Sequence, residues 1–511
     1  MTKTTNQLKL KQMHIVSMFR ISKPILLLFI TLFSYGASSA QGFEVSYSAS
    51  VFDKSFTGHV VLYMSKANKE PKDGDVGEGF PCFSVSVKNI QPGQAITIDD
   101  RAISFPTALS DIERGEYYVQ IVWDRNLGGH SIAASPGNLF NTTEKITITK
   151  DFKKVFKIVA KEMVAEYPDF KETQYVKVVE APSALLTAFH GKEMAVNAAV
   201  ILPKEYYTEP TRKFPVLFKI WGYIGNYHEL SGNIEPSKQV ASTAVIEVIL
   251  DGNCALGHSV YANSDNNGPW SDALITEFIP VLEKKFRANG ARLLMGHSSG
   301  GWSALWLQTQ YPKVFDGCWA SSPDYVDFRS FQKVNLYEDK NMFYDKEGSL
   351  RLGATVAGFI PWRYVKTGFQ MENVVYRGEQ VHSFDAVFSK KGSDGMPKRI
   401  CNSSTGLIDT AVSAHWKNYD IALILRNNWA SLKSELDDKV RISIGKQDNF
   451  NLHYSVNLLE KQMKELHSNF QFAYYPGDHF TVYTPDYEKD GNQFLEQKYV
   501  EWLAKSKTEK K

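Results

Sequence analysis

Leu293-Leu294-Met295-Gly296-His297-Ser298-Ser299-Gly300-Gly301-Trp302 decides how the rest of this 511-residue chain is read. A short apolar run ends in Gly-x-Ser-x-Gly centred on Ser298, and Trp302, Ala304, Leu305, Trp306 and Leu307 continue the apolar pattern up to Pro312. Strand, sharp turn and helix in that order are what a nucleophile elbow requires. On so tight a turn the serine backbone is strained, and Gly296 and Gly300 leave room where side chains would meet the crossing strand and helix. The Ser298 hydroxyl then stands at the carboxyl end of a sheet, with the N–H of Ser299 available to an oxyanion. The same five-residue pattern is also an ordinary glycine-serine turn; the flanking strand and helix give it meaning.

Working outward, Phe214–Gly222 reads as a buried strand running into a glycine-bearing loop, and Ala244–Gly252 as the next strand. Asp272–Phe286 has the pattern of a helix, and Leu185–Pro203 that of a hairpin turning at Gly191. Beyond the elbow, Val440–Gly445 is a strand leading to Asp448, Val456–Lys464 a helix, and Phe470–Tyr475 a strand ending in Pro476-Gly477-Asp478-His479. Strands alternating with helices predict an α/β fold with a doubly wound, mainly parallel sheet, and ligands at the carboxyl ends of its strands. Residues from about 325 to 417 are too long for a connection and predict an inserted cap.

Residues 42–150 are different: short β-rich runs such as Val45–Val51, His59–Met64 and Tyr117–Trp123 are separated by turn clusters, which predicts a small β-sandwich. The charged stretch that follows, 151–180, reads as a linker, and 181–505 as the α/β domain. Residues 1–40 carry five lysines and arginines ahead of the apolar run Pro24–Phe33 and end in Ala37-Ser38-Ser39-Ala40, the pattern of an export signal cut near Ala40. Met13 and Met18 are alternative starts. The expected location is periplasmic or secreted. That apolar run is too short for a comfortable membrane span, and no other stretch approaches the length.

With 58 basic and 56 acidic residues the net charge is +2, which disfavours nucleic acid as a partner. The four cysteines, Cys82, Cys254, Cys318 and Cys401, are too scattered for a disulfide scaffold, and neither they nor the histidines show metal-ligand spacing. No metal or other cofactor is expected. The sequence does not specify an oligomeric state.

A serine hydroxyl needs a base to take its proton and a carboxylate to orient that base. In a parallel α/β sheet both should follow the serine in the chain, in the order Ser, acid, His, each just past a strand. Asp448 and His479 meet this requirement. Asp478 is a competing acid, but its side chain should diverge from that of the adjacent His479 on extended backbone. His297 points the wrong way for a base and reads as a packing or hydrogen-bonding residue, with a substrate contact as the lesser alternative.

Phe214–Gly222, Asn267-Gly268-Pro269-Trp270, Gly296–Gly301 and the Gly477-Asp478-His479 ending resemble esterases of the enterochelin esterase and esterase D type, over about residues 180–500. The resemblance implies an α/β-hydrolase fold and metal-free serine carboxylester hydrolysis. It also implies a first oxyanion donor in the loop after Ile220, where relatives usually carry His-Gly and this chain has Trp221-Gly222-Tyr223. Gly222 and Tyr223 are therefore expected donors beside Ser299, with Trp221 and Trp270 as candidate substrate contacts, although Trp270 reads first as a turn residue. The family allows siderophore esters, acylated sugars and aromatic esters on polysaccharide. The leader, the added β-rich region and aromatics such as Phe359, Trp362, Tyr364, Phe369 and Tyr376 favour a small-molecule or polysaccharide-linked ester of a carbohydrate or aromatic acid. A siderophore esterase, a serine peptidase or acyltransferase, and a non-catalytic binder on the same scaffold are the alternatives.

Overall fold

The computed structural model describes residues 42–149 and 154–508. The predicted export signal lies outside them. Eight strands form the main sheet: β1 Val176–Pro182, β2 Ala195–Ile201, β3 Phe214–Ile220, β4 Ile246–Leu250, β5 Ala288–His297, β6 Gly317–Ser321, β7 Val440–Gly445 and β8 Gln471–Tyr475. Their order in space is β1-β2-β4-β3-β5-β6-β7-β8. β2 is antiparallel to β1 and β4, and every other neighbouring pair is parallel.

The sheet is covered on both faces because successive residues alternate between two cores. Val216, Phe218, Leu294 and Cys318 belong to the larger core, while Leu217, Leu293 and Trp319 pack with Tyr487, Phe494 and Leu495 of the helix Pro485–Thr508. The larger core also takes in the elbow helix Ser299–Gln310, the helix Ile421–Leu436 and much of the segment between β6 and β7. In that segment lie a hairpin, Leu352–Val356 with Ile360–Tyr364, and helices Val365–Val375, Gln380–Phe388 and Thr410–Trp416. Phe388 meets Trp302 and Trp416 with ring centroids 5.2 Å apart in each case, so the segment rests directly on the elbow helix.

The amino-terminal strands form a three-stranded sheet around Gly42–Tyr47 and a seven-stranded sheet around Phe56–Ser65 and Gly115–Asp124. Alternation along Phe56–Ser65 again serves two cores. Val60, Leu62 and Met64 pack with Phe43, Val45 and Tyr47 of the smaller sheet, while Val61 and Tyr63 pack with Met371, Val374 and Val375 from the segment between β6 and β7.

Two expectations need correction. The stretch read as a hairpin opens with a helix, Ala184–His190: Ser183 Oγ accepts from the N–H of Leu186 at 3.1 Å, and Gly191 closes the helix with φ +66°. A side-chain cap at one end and a left-handed glycine at the other define a helix rather than a turn between strands. The stretch read as a linker, 151–180, contains Val155–Ala160, which pairs in parallel with Gly42–Tyr47, and also β1. Residues 150–153 are outside the described set. Among the described residues no helix is long and apolar enough to cross a membrane, and all four cysteines are buried free thiols.

Candidate active site

β5 ends at His297 and the next helix begins at Ser299, which leaves Ser298 alone in the turn at φ 59°, ψ −125°. A non-glycine residue there is strained, and its neighbours show how the strain is held. The Ser298 N–H donates to Ser321 O at 3.0 Å, and Ser298 O accepts from Asp324 N at 3.2 Å. A Cβ on Gly296 would stand 2.1 Å from Gly300 O, and one on Gly300 1.9 Å from Ile220 O. Both positions therefore require glycine because backbone crosses there.

Asp448 follows β7 and His479 follows β8, and the two strands are neighbours. Their side chains meet, with His479 Nδ1 2.7 Å from Asp448 Oδ2 and both residues buried. The other oxygen of Asp448 accepts from the N–H groups of Phe450 and Leu452 at 3.0 and 3.3 Å, so the carboxylate is fixed before it meets the ring. The competing acid is occupied elsewhere: Asp478 Oδ1 accepts from Phe480 N, Thr481 N and Thr481 Oγ1 at 2.8–3.0 Å. The His479 ring packs edge-on against Phe450 and Phe480, with centroids at 4.9 and 5.3 Å. Ser298 and His479 line one cleft of about 1030 Å³.

Ser299 is the first helical residue, so its N–H has no acceptor within the helix. A Cβ on Gly222 would lie 3.5 Å from Ser298 Cβ and 4.0 Å from Ser298 Oγ, which puts this backbone beside the hydroxyl. Trp221, Tyr223 and His297 also line the cleft. The Tyr223 hydroxyl donates to Gly378 O, holding the loop after β3 against the segment between β6 and β7. His297 Nδ1 is 2.7 Å from Ser321 Oγ, and burial, reinforced by His479, pushes the His297 pKa down to about 3. His297 is thus a neutral packing partner near pH 7. Trp270 is not brought to the site: it is buried, donates to Asn267 O at 2.8 Å and packs edge-on against Tyr261. Of the aromatics singled out in the sequence, Trp362 and Tyr364 line the cleft, Phe369 is core, and Tyr376 stacks on His59.

Sequence reading missed Asp324, Gln380 and Asn449. Asp324 is buried beside Ser298, with Oδ1 3.5 Å from Ser298 Oγ and Oδ2 accepting from Ser299 Oγ at 2.5 Å and Gln380 Nε2 at 3.3 Å. Burial pushes its pKa up to about 6. Its position just past β6, like that of Asp448 past β7, was the available signal. Asn449 accepts from the N–H of His479 at 3.0 Å and donates to Thr355 O at 2.9 Å, which holds the backbone of His479.

A family model described as "Putative esterase" matches residues 190–499, more than half of the chain. This chain belongs to that family. The protein is therefore an esterase, a carboxylic-ester hydrolase. Solved structures similar to the esterase include an S-formylglutathione hydrolase from Agrobacterium tumefaciens, 15% identical over 64% of this chain and 96% of that one, with a TM-score of 0.38. A fluorophosphonate-binding serine hydrolase from Staphylococcus aureus is 14% identical over 63% and 98%, TM-score 0.37, and a ferulic acid esterase 17% identical over 63% and 98%, TM-score 0.34. No curated protein matches the esterase.

Proposed function

We propose that the esterase works through an acyl-enzyme formed on Ser298, with His479 as its base and Asp448 as the orienting acid. The observation that carries this reading is the buried 2.7 Å contact between His479 Nδ1 and Asp448 Oδ2 in the cleft that holds Ser298. A carboxylate on Nδ1 fixes the tautomer that leaves Nε2 free to accept a proton, and it stabilises the imidazolium that forms. Ser298 Oγ attacks the ester carbonyl carbon as its proton passes to His479. The carbonyl oxygen gains negative charge, for which the N–H groups of Ser299 and of the Gly222–Tyr223 loop are the candidate donors. Collapse breaks the ester C–O bond, and the departing alcohol takes the proton from His479. Water then gives a proton to His479 and attacks the acyl carbon, and the carboxylic acid leaves as Ser298 recovers its hydrogen.

The finer assignments belong to the same proposal. The amino-terminal strands form a β-sandwich, supported by two sheets that share one core, and the segment between β6 and β7 is a cap insertion. The leader marks export. The substrate is an ester of a carbohydrate or an aromatic acid, supported by the aromatic faces of Trp362, Tyr364, Phe450 and Phe480 along the cleft.

The test is turnover of a panel of acetyl, feruloyl, catecholate-siderophore and long-chain acyl esters by wild type and Ser298→Ala. Loss of at least about 10³-fold in kcat on every cleaved ester is expected. Retained turnover in Ser298→Ala would refute the mechanism, and selective cleavage of long-chain esters would refute the substrate class.

A further inference from the structure

The cleft that holds Ser298 is not built by the main-sheet region alone. Lys72, Asp73, Asp75, His130, Ser131 and Ala134, all from the amino-terminal strands and their loops, also line it. A cleft of about 1030 Å³ is at the upper end of the roughly 300–1,000 Å³ that accommodates a drug-sized ligand. A short acyl group and a simple alcohol would leave most of it empty.

Two close contacts fix this wall to the rest of the cleft. The Arg363 guanidinium, on the hairpin before Val365, donates to both oxygens of Asp75 at 3.0 and 3.1 Å. Gly77 lies flush against that guanidinium, since a Cβ there would fall 1.7 Å from Arg363 Cζ. Behind them Arg377 joins three parts of the chain. It pairs with Asp124 at 2.6 Å, and its Nη1 donates to Gly129 O at 2.8 Å and Ala255 O at 2.5 Å, with the pair fully buried. Close to it, a Cβ on Gly378 would meet His130 O at 1.6 Å. The wall is thus a packed part of the cleft rather than a separate module beside it.

The amino-terminal residues bring polar groups to the cleft: the Lys72–Asp73 ion pair at 2.6 Å, Asp75 held by Arg363, and the side chains of His130 and Ser131, while Trp362, Tyr364, Phe450 and Phe480 line it as well. Hydrogen-bonding groups and aromatic rings lining one cleft suit a polyhydroxylated chain, which presents hydroxyls at its edges and C–H groups on its faces. They do not suit an alkyl chain.

We propose that the amino-terminal strands form the saccharide subsite of the esterase, so that this region selects the substrate by binding sugar residues linked to the scissile ester. This rests on the acyl-enzyme reading above, and the experiment separates the two. The values of kcat/KM are measured for two matched pairs of esters: methyl ferulate with feruloylated xylotriose, and 4-nitrophenyl acetate with acetylated xylotetraose. Wild type should prefer the saccharide member of at least one pair by tenfold or more. Ala134→Trp, which fills the wall from an exposed loop, and Asp73→Ala, which removes an exposed carboxylate, should each lower that preference at least fivefold. Absence of preference in both pairs, or preference retained in both variants, overturns the subsite. Failure of the acyl-enzyme reading looks different: no ester is cleaved, or Ser298→Ala cleaves them as wild type does.

Discussion

Asp448 and Asp478 stand 30 residues apart, and both come close in sequence or space to His479, but only Asp448 presents a carboxylate oxygen to the imidazole. Asp448→Asn should keep the fold and lower kcat by roughly 10³–10⁴-fold, because an amide cannot stabilise the imidazolium and favours the wrong tautomer. Asp478→Asn should cost far less, since that side chain closes its own turn by accepting from Phe480 N and Thr481. Steady-state kinetics of the pair decides between them. Asp324 leads to a pH prediction. Its pKa is raised by burial to about 6, so the folded state binds a proton that the unfolded chain has released. The stability it removes is absent below pH 4 and fully felt above about pH 6, up to about 3 kcal/mol for a shift of this size. Asp324→Asn should flatten that fall, which melting curves between pH 4 and 8 would read; an unaltered pH dependence would contradict it. At this scale the placement of Ser298, Asp448 and His479 just past strands was legible. Asp324 also stands just past a strand, but that strand was not recognised, and a carboxylate after Ser-Ser-Pro looks like a turn former until burial is known. For Trp270 the lesser reading, a substrate contact, does not hold, since its indole is buried and donates to Asn267 O.

Among the elements, the helix Ala184–His190 shows what periodicity alone leaves open. Leu185 and Phe189 are both apolar yet more than a third exposed, and only Leu186 is buried. The apolar run therefore did not report a buried strand, and the informative residues were the cap Ser183 and the glycine at 191. Ser183 also donates to Glu277, whose other oxygen accepts from Leu185 N at 3.1 Å. Ser183→Ala should destabilise the protein by about 1–2 kcal/mol in chemical denaturation, in the upper half of the usual range for a lost N-cap because Glu277 also loses its partner. The strand Val155–Ala160 was hidden differently. Lys157 lies on its solvent side and pairs with Glu44, while Ile158 and Ala160 face the core, so the charges that suggested a linker mark an edge strand. The β-α alternation was legible from Phe214 to the elbow and again from Val440, where strands are largely apolar on both faces; the strand Gly317–Ser321 and the segment up to 417 were not resolved by pattern.

For the whole molecule, sequence order concealed how the cleft is assembled. Its walls come from around residues 72–77, 130–134, 221–225, 353–381 and 450–483, and no local pattern relates these segments. The Arg363–Asp75 pair ties the first of them to the rest, and the buried Arg377–Asp124 pair does so next to the second. Arg377→Ala would leave Asp124 charged and uncompensated beneath the interface, which predicts a loss of about 3–5 kcal/mol, seen as a lowered unfolding midpoint. A variant as stable as wild type would show that the amino-terminal strands are not fastened there. The account as a whole depends on Ser298 being the nucleophile at a strained turn, activated by His479. Its most direct test is peptide mapping by mass spectrometry after treatment with a fluorophosphonate. A single adduct on Ser298, absent in Ser298→Ala and formed far more slowly in His479→Ala, is the predicted result; no adduct, or one on another residue, would contradict it.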